Sequence, residues 1–289
     1  HVITYAYGEL EALLAQINAK GYGLTMGLHT RIDQTIQTVI DSAHVGNLYI
    51  NRNIVGAVVG VQPFGGEGLS GTGPKAGGPL YLYRLMQAQA KLPTPPFAVK
   101  QLLAEQPPTV LNNHVLFKQW LKQHLPQLTI EDRPRLEVYS RYELQGPTGE
   151  SNQYVILPRK AVLSIAEHPL AQAKQLLAIF SVNANAVLKS DDAFFSQYGN
   201  TLPKPLLAAI ILTQDIAIAE YEAVLHQGTL ADLQDLQRIV AQRQGSIIGI
   251  THLAHESVPI PLERLVIERA ISINTAAAGG NASLMTMAD

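Results

Sequence analysis

The sequence predicts an α/β protein made of two successive units in which strands and helices alternate. Residues 1–51 are predicted to form strand, helix, strand, helix and strand, and residues 161–251 show a second alternation of the same kind. Residues 93–108, between the two units, carry five prolines, which indicates a linker or a domain boundary. Because such alternation is typical of largely parallel sheets, we expect an α/β fold in both units.

The elements of the first unit are indicated by the spacing of apolar residues. Two helices are each predicted from four apolar residues that share one helical face, namely Leu10, Leu13, Leu14 and Ile17, and then Ile32, Ile36, Val39 and Ile40. Residues 2–5, 24–30 and 48–50 have the composition of strands, and a short helix is expected from Leu80 to about Gln89.

The second unit is predicted in the same way. Helices are expected at residues 111–125, 170–180 and 230–240, and Thr229 is the expected N-cap of the last of them. Strands are expected at 161–165, 186–188, 221–225, 246–251 and 265–273, after a run of short strands at 136–162 that is broken by the turn 146–149.

The composition excludes several classes of protein. Lys and Arg number 21 against 23 Asp and Glu, so the net charge of −2 argues against a general nucleic-acid binder. No apolar run reaches the ~18 residues that a membrane-spanning helix needs, and residues 1–5 lack the features of a secretion signal. The absence of cysteine excludes disulfides, thiolate zinc sites and a cysteine nucleophile within these residues.

Residues 56–78 form the most unusual segment, because nine of these 23 positions are glycine. A loop of this length without periodic structure is usually functional in a compact domain. Gly56 and Ala57 could present backbone N–H groups to a carboxylate, and Phe64 could form an aromatic wall of the same site. The alternative is a loop that only packs across its domain, which the composition alone favours.

Two short motifs are interpreted as structural. Residues 66–71 match the dinucleotide pattern G-x-G-x-x-G, but Pro74 and the residues after it prevent a helix from starting there, so the phosphate-binding interpretation is rejected. His252, His255 and Glu256 form H-x-x-H-E, which lacks the spacing of the helical zinc motif. We therefore expect no metal site there.

The first ninety residues resemble the C-terminal portion of an aldehyde dehydrogenase. The resemblance rests on three matching stretches in the family's order and spacing, at residues 22–30, 46–51 and 63–73. Residues 51–62 and the run through Gly78-Pro79 narrow it to the L-glutamate-γ-semialdehyde dehydrogenases of the proline utilisation A family. Residues 109–289 are similar to the extra C-terminal domain of the longer members, through 146–150, 185–189 and 274–285.

The resemblance implies roles for three residues. Gly56 and Ala57 match the anchor loop whose amides hold the substrate α-carboxylate, and Phe64 matches the aromatic residue that packs on the aliphatic chain. The family oxidises its aldehyde with a cysteine nucleophile and NAD, and these groups precede residue 1 in the family order. No catalytic, cofactor-binding or metal-binding residue is therefore expected here, and NAD is expected to bind mainly to a missing upstream domain. FAD belongs to a proline dehydrogenase domain further upstream.

The resemblance also divides the chain. Residues 1–92 are expected to be the C-terminal part of the aldehyde dehydrogenase domain, 93–110 a linker, 111–270 a degenerate aldehyde-dehydrogenase-like Rossmann-type domain, and 271–289 a flap-like tail. The chain is thus expected to be an inactive C-terminal fragment of a bifunctional enzyme. The alternative is a non-catalytic scaffold or oligomerisation module.

Partners and location are implied in the same way. The expected partners are upstream domains of the same polypeptide, a small-molecule substrate and a second copy of the whole protein. DNA is expected only if the whole protein has an N-terminal DNA-binding domain. The expected location is cytoplasmic, with peripheral membrane contact possible through the proline dehydrogenase part.

Overall fold

The computed structural model describes residues 1–6, 8–71, 73–86, 98–102, 113–128, 136–255 and 258–276. The predicted α/β fold class is confirmed in both units. The first unit contains α1 (Leu10–Ala19), β1 (Tyr22–Gly23), β2 (Thr25–Leu28), α2 (Asp33–Ser42), β3 (Asn47–Ile50) and β4 (Glu67–Gly68).

The rest of the chain supplies nine further strands and five further helices within the described residues. They are β5 (Ala98–Leu102), α3 (Asn113–His124), β6 (Arg141–Leu144), β7 (Glu150–Pro158), β8 (Ala161–Ala166), α4 (Pro169–Ser181), β9 (Asn185–Lys189), α5 (Ala193–Tyr198), α6 (Lys204–Ala208), β10 (Ile210–Thr213), β11 (Ala223–Gln227), α7 (Leu230–Ala241), β12 (Gly249–His252) and β13 (Val266–Asn274). No helix among the described residues is long and apolar enough to cross a membrane.

One sheet has five strands, all parallel, in the order β10-β9-β8-β11-β12. In chain order this is 3-2-1-4-5, the arrangement of doubly wound nucleotide-binding folds, with its topological switch point between β8 and β11. The predicted Rossmann-type architecture of the second unit is therefore observed.

The other sheet joins the two units. Its six strands lie in the order β2-β3-β13-β7-β6-β5. β13, near the end of the chain, pairs in parallel with β3 and antiparallel with β7. The first unit therefore completes its sheet with a strand from the last part of the chain.

The two faces of β13 have different surroundings, as the two-residue period of a strand requires. Ile271 and Ile273 are buried in an apolar core with residues of α1 and α2. Glu268 and Ser272 point to the other face, where they contact Lys75 and Gln62 of the glycine-rich loop. Both sides of the strand are thus covered, and the strand is central to the sheet.

Several details differ from the sequence prediction. Residues 2–5 form no strand, and the helix expected from Leu80 is a 3₁₀ turn at Leu82–Arg84 in the described residues. The last residues of the expected helix lie outside the described ones. α5, α6 and β10 were not predicted, since elements of six, five and four residues are too short for a periodic pattern.

Two predicted boundaries meet regular structure. The proposed linker 93–110 contains β5, while its other residues lie outside the described ones. The boundary between residues 270 and 271 falls inside β13. The residues of the expected tail beyond Ala276 are also outside the described part of the chain.

A buried ion pair fixes β13 to the first unit. The Arg269 guanidinium donates to both carboxylate oxygens of Glu67, from Nε at 3.0 Å and from Nη2 at 2.9 and 3.2 Å. Its Nη1 donates to the backbone oxygen of Ile40. The two charged side chains are only 7% and 10% exposed, so each charge depends on the other for stabilisation.

We expect Arg269→Met to lower the free energy of unfolding by about 3 to 5 kcal/mol, because the Glu67 carboxylate would stay buried without its cation. Urea unfolding of the variant and the unchanged protein measures the loss. Arg238→Met is the control, since Arg238 forms an ion pair with Asp235 in which both side chains are more than 60% exposed, and such pairs contribute little. Equal losses in the two variants would contradict a structural role for the buried pair.

Candidate functional site

The glycine-rich loop starts where β3 ends. Asn51 takes a left-handed conformation with φ of 56°, and its side-chain oxygen accepts a hydrogen bond from the Thr30 N–H at 3.0 Å. Its own N–H donates to Leu28 at 2.8 Å. The chain therefore leaves the sheet at a fixed angle beside the end of β2 and enters residues 52–62.

The predicted anchor residues present unused backbone donors. Among the described residues, neither Gly56 nor Ala57 donates its N–H to a hydrogen bond. Gly56 has φ of +78°, and a Cβ built on it would meet no atom within 4 Å. It is exposed, and Ala57 is half-buried. Two adjacent N–H groups without hydrogen-bond partners can donate to a carboxylate.

Phe64 is held by a rigid frame. Its backbone forms two hydrogen bonds with Ala76, at 3.0 and 2.8 Å. The buried side chain of Asn47 donates to Pro63 O at 2.9 Å and accepts from Gly65 N at 3.1 Å, so one amide fixes the residues on both sides of Phe64. Phe64 is 37% exposed, as a residue that forms the wall of a ligand site would be.

A buried lysine connects this frame to β13. The Lys75 ammonium donates to Asn47 Oδ1 at 3.0 Å and to the backbone oxygen of Gly65, and the Lys75 N–H donates to the Glu268 carboxylate at 2.9 Å. Burial lowers the pKa of Lys75 to about 8, and the nearby Glu268 partly offsets the shift. Burial also raises the pKa of Glu268, which accepts a 2.6 Å hydrogen bond from Tyr154.

Phe64 and the anchor amides thus lie on one loop, supported at different points. No backbone hydrogen bond joins Phe64 to Gly56 or Ala57 among the described residues. Sequence reasoning missed the supporting residues Asn47 and Lys75. The only local signal for them was a polar residue at the start of a buried strand and a lone lysine among glycines.

A cavity of about 340 Å³ lies elsewhere, between the residues that follow Phe64 and the second unit. Gly56, Ala57 and Phe64 do not line it. Its walls carry Arg84, Arg159, Arg243 and Arg264 together with Glu67, Glu222, Glu263 and Glu268. This mixture of opposite charges is typical of a polar seam between two packed units.

Of the histidine motif, the structure gives a contact for His252. His252 lies beside His226 of the neighbouring strand, with the two Nδ1 atoms 3.0 Å apart, and Glu256 is outside the described residues. Burial and the neighbouring His252 lower the pKa of His226. No group of three or more metal-ligating side chains occurs in the part of the chain that the structure describes.

The second unit does not fit the pyrophosphate of NAD. The turn between β8 and α4 has the sequence Ala166-Glu167-His168-Pro169, without a glycine that would let the backbone approach a phosphate. The His168 side chain caps α4 by accepting from Ala171 N at 3.4 Å, and Pro169 has no N–H. At the helix terminus that binds phosphate in such folds, one N–H is therefore absent and another already donates to the chain itself.

Comparison with known proteins defines the class. The aldehyde dehydrogenase family matches residues 2–90. A solved structure of proline utilisation A from Corynebacterium freiburgense has a TM-score of 0.51 and 18% sequence identity, and it covers 92% of this chain and 24% of that one. Residues 2–90 are therefore similar to the aldehyde dehydrogenases, and the fold is that of an aldehyde-dehydrogenase-like α/β protein.

Within this class the resemblance is more specific. The bifunctional protein PutA of Salmonella typhimurium is 46% identical over an alignment of 302 positions, gaps included, that covers 99% of this chain. The 1-pyrroline-5-carboxylate dehydrogenase of Bacillus subtilis is 48% identical over 81 residues, covering 28% of this chain and 16% of the relative. The expected resemblance to proline utilisation A is confirmed. The chain spans 22% of the length of the Salmonella relative.

We expect Lys75→Met to remove a pH dependence of stability. The folded-state pKa of about 8 lies below the ordinary value of 10.5, so the unfolded chain binds more protons between these values and stability rises with pH there. Between pH 7 and pH 9.5 this contribution is about 2 kcal/mol. Chemical unfolding of both proteins across that range gives the difference. Parallel curves would show that Lys75 does not titrate as its burial implies.

Proposed function

We propose that residues 1–86 supply part of the substrate pocket of an NAD-dependent L-glutamate-γ-semialdehyde dehydrogenase of proline catabolism. The similarity to PutA and to 1-pyrroline-5-carboxylate dehydrogenase supports the reaction class. The free, adjacent N–H groups of Gly56 and Ala57 carry the proposal, because they match the α-carboxylate of such a substrate.

The two proposed contacts bind different parts of the substrate. The N–H groups of Gly56 and Ala57 bind the α-carboxylate, and charge-assisted hydrogen bonds of this type are short and strong. Phe64 packs against the aliphatic carbons between the carboxylate end and the aldehyde. Holding the substrate at both places orients its aldehyde for reaction, which is the usual contribution of a positioning site.

The reacting groups are assigned to residues outside this chain. The chain contains no cysteine, so we propose that it is inactive alone and acts within a larger polypeptide that supplies the nucleophile, the general base and the binding site for NAD. NAD accepts the hydride of the aldehyde carbon in this reaction. FAD and proline dehydrogenase activity belong to the same larger polypeptide. The cytoplasmic location and assembly into homo-oligomers are further parts of the proposal.

The second unit acts in this proposal as a structural support. β13 places Glu268 and Ser272 against the glycine-rich loop. We further propose that the 271–289 tail, whose residues beyond Ala276 lie outside the described ones, covers the dehydrogenase surface within one chain. The pairing of residues 270–273 with β3 supports this role. We assign no nucleotide to the second unit, because its β8–α4 turn does not fit a pyrophosphate.

We expect Ala57→Leu, in the larger polypeptide, to raise the Michaelis constant for L-glutamate γ-semialdehyde about 10- to 100-fold. The larger side chain displaces the substrate carboxylate, which then loses one or two charge-assisted hydrogen bonds to the anchor N–H groups. The turnover number and the Michaelis constant for NAD should change little. Steady-state kinetics with each substrate varied in turn gives both values.

Val59→Leu is the matched control, since Val59 lies two residues away and is 95% exposed. If Ala57→Leu behaves like this control, the anchor assignment is wrong. A larger polypeptide with no aldehyde dehydrogenase activity would favour the scaffold alternative.

A further inference from the structure

Five polar side chains from three distant parts of the sequence meet beneath residues 52–62, here called the anchor loop. Arg52 and Gln62 lie on the loop, Glu150 and Asn152 on β7, and Ser272 on β13. Gln62, Asn152 and Ser272 are at most 4% exposed. Asn152 and Ser272 are direct cross-strand partners in the sheet register. Buried polar groups of this kind persist where their hydrogen bonds determine a specific arrangement.

Gln62 uses both ends of its amide. Its Oε1 accepts a hydrogen bond from the Val58 N–H at 2.9 Å. Its Nε2 donates to Asn152 Oδ1 at 2.9 Å and to Ser272 Oγ at 3.2 Å. Val58 directly follows Ala57. The side-chain amide of Gln62 therefore fixes the peptide next to the two N–H groups that are proposed to bind the carboxylate.

Arg52 fixes the other end of the same segment. Its Nη1 donates to Ser272 Oγ at 2.8 Å and lies 2.9 Å from Glu150 Oε1. The guanidinium also lies over the Tyr49 ring, 5.1 Å from its centre. Residues 52–62 are therefore attached at both ends to β7 and β13, and the anchor amides lie between these attachments.

The turn that precedes β7 packs against this arrangement. A Cβ on Gly146 would lie 2.2 Å from Asn152 Nδ2 and 3.3 Å from Val61 Cγ1. The backbone of the turn 146–149 thus lies against both the network and the loop. The contact explains why a glycine occupies this place, and it shows that the second unit touches the loop directly.

We propose that Gln62 is a positioning residue through which Asn152 and Ser272 hold the Gly56 and Ala57 amides in the orientation that selects aldehydes bearing an α-carboxylate. The second unit then sets substrate selectivity without touching the substrate. This inference rests on the proposed function, because it requires the anchor role of Gly56 and Ala57.

The test is Gln62→Leu in the larger polypeptide, assayed with two aldehydes. With L-glutamate γ-semialdehyde, the Michaelis constant should rise about tenfold at an unchanged turnover number. Without the hydrogen bonds of Gln62, the anchor loop must be ordered each time the substrate binds, which weakens binding. With pentanal, which has the same number of carbons and no carboxylate, kcat/KM should stay the same. The Michaelis constant for NAD should also be unchanged.

Gln153→Leu is the matched control. Gln153 is the next residue on β7, so its side chain points to the opposite face of the sheet. Its buried Oε1 has no hydrogen-bond partner among the described residues, so the substitution breaks no hydrogen bond of that atom. Ser272→Ala is a second, milder variant, which keeps the backbone of β13 and removes two hydrogen bonds. It should raise the same Michaelis constant about threefold, and it decides the matter if Gln62→Leu does not fold.

The outcomes separate the two proposals. If Ala57→Leu raises the Michaelis constant for the semialdehyde while Gln62→Leu and Ser272→Ala do not, the positioning role is wrong and the proposed function stands. If none of the three variants changes it, both are wrong. An equal loss of kcat/KM with both aldehydes would show that Gln62 serves only stability, which also overturns the positioning role.

Discussion

The insertion of β13 between β3 and β7 is the constraint on which the rest of the structure depends. It joins a parallel neighbour from the first unit to an antiparallel neighbour from the second in one sheet. Without it, β3 would lose its partner on that side and the apolar face that holds Ile271 and Ile273 would be open. The first unit is therefore completed by residues more than 200 positions away in sequence.

The polar side chains of β13 have a function that its apolar ones cannot provide. A slip by one residue would turn Ser272 and Glu268 into the apolar core, so the hydrophobic pattern alone excludes it. A slip by two residues would keep the apolar face buried. It would, however, separate Ser272 from Gln62, Glu268 from Lys75 and Arg269 from Glu67. The buried polar contacts thus specify the register, which is the best-supported reason for retaining such costly groups.

These contacts also show how far the sequence could be interpreted. The helices α1 and α2 and the strand β3 were predictable, because each has a local apolar pattern of sufficient length. Gly56, Ala57 and Phe64 were identified as candidates from the glycine-rich composition and the family resemblance. Gln62 and Ser272 carried no local signal, since their hydrogen bond joins residues 210 positions apart. Ser272 looks like any polar residue in a strand, and its role is set by a pairing that periodicity does not reveal.

The glycine content of the loop means that residues outside it must stabilise its conformation. Ordering each backbone residue costs about 1 to 2 kcal/mol, and glycine loses the most freedom. A loop normally recovers this cost through its own backbone hydrogen bonds, but amides that bind a carboxylate, as proposed for Gly56 and Ala57, must stay unpaired. The loop therefore cannot use Gly56 and Ala57 to stabilise itself. Instead, Gln62 after these residues and Arg52 before them attach the loop to the sheet through side-chain hydrogen bonds. A strand from the far end of the chain can thus keep two amides oriented and free at the same time.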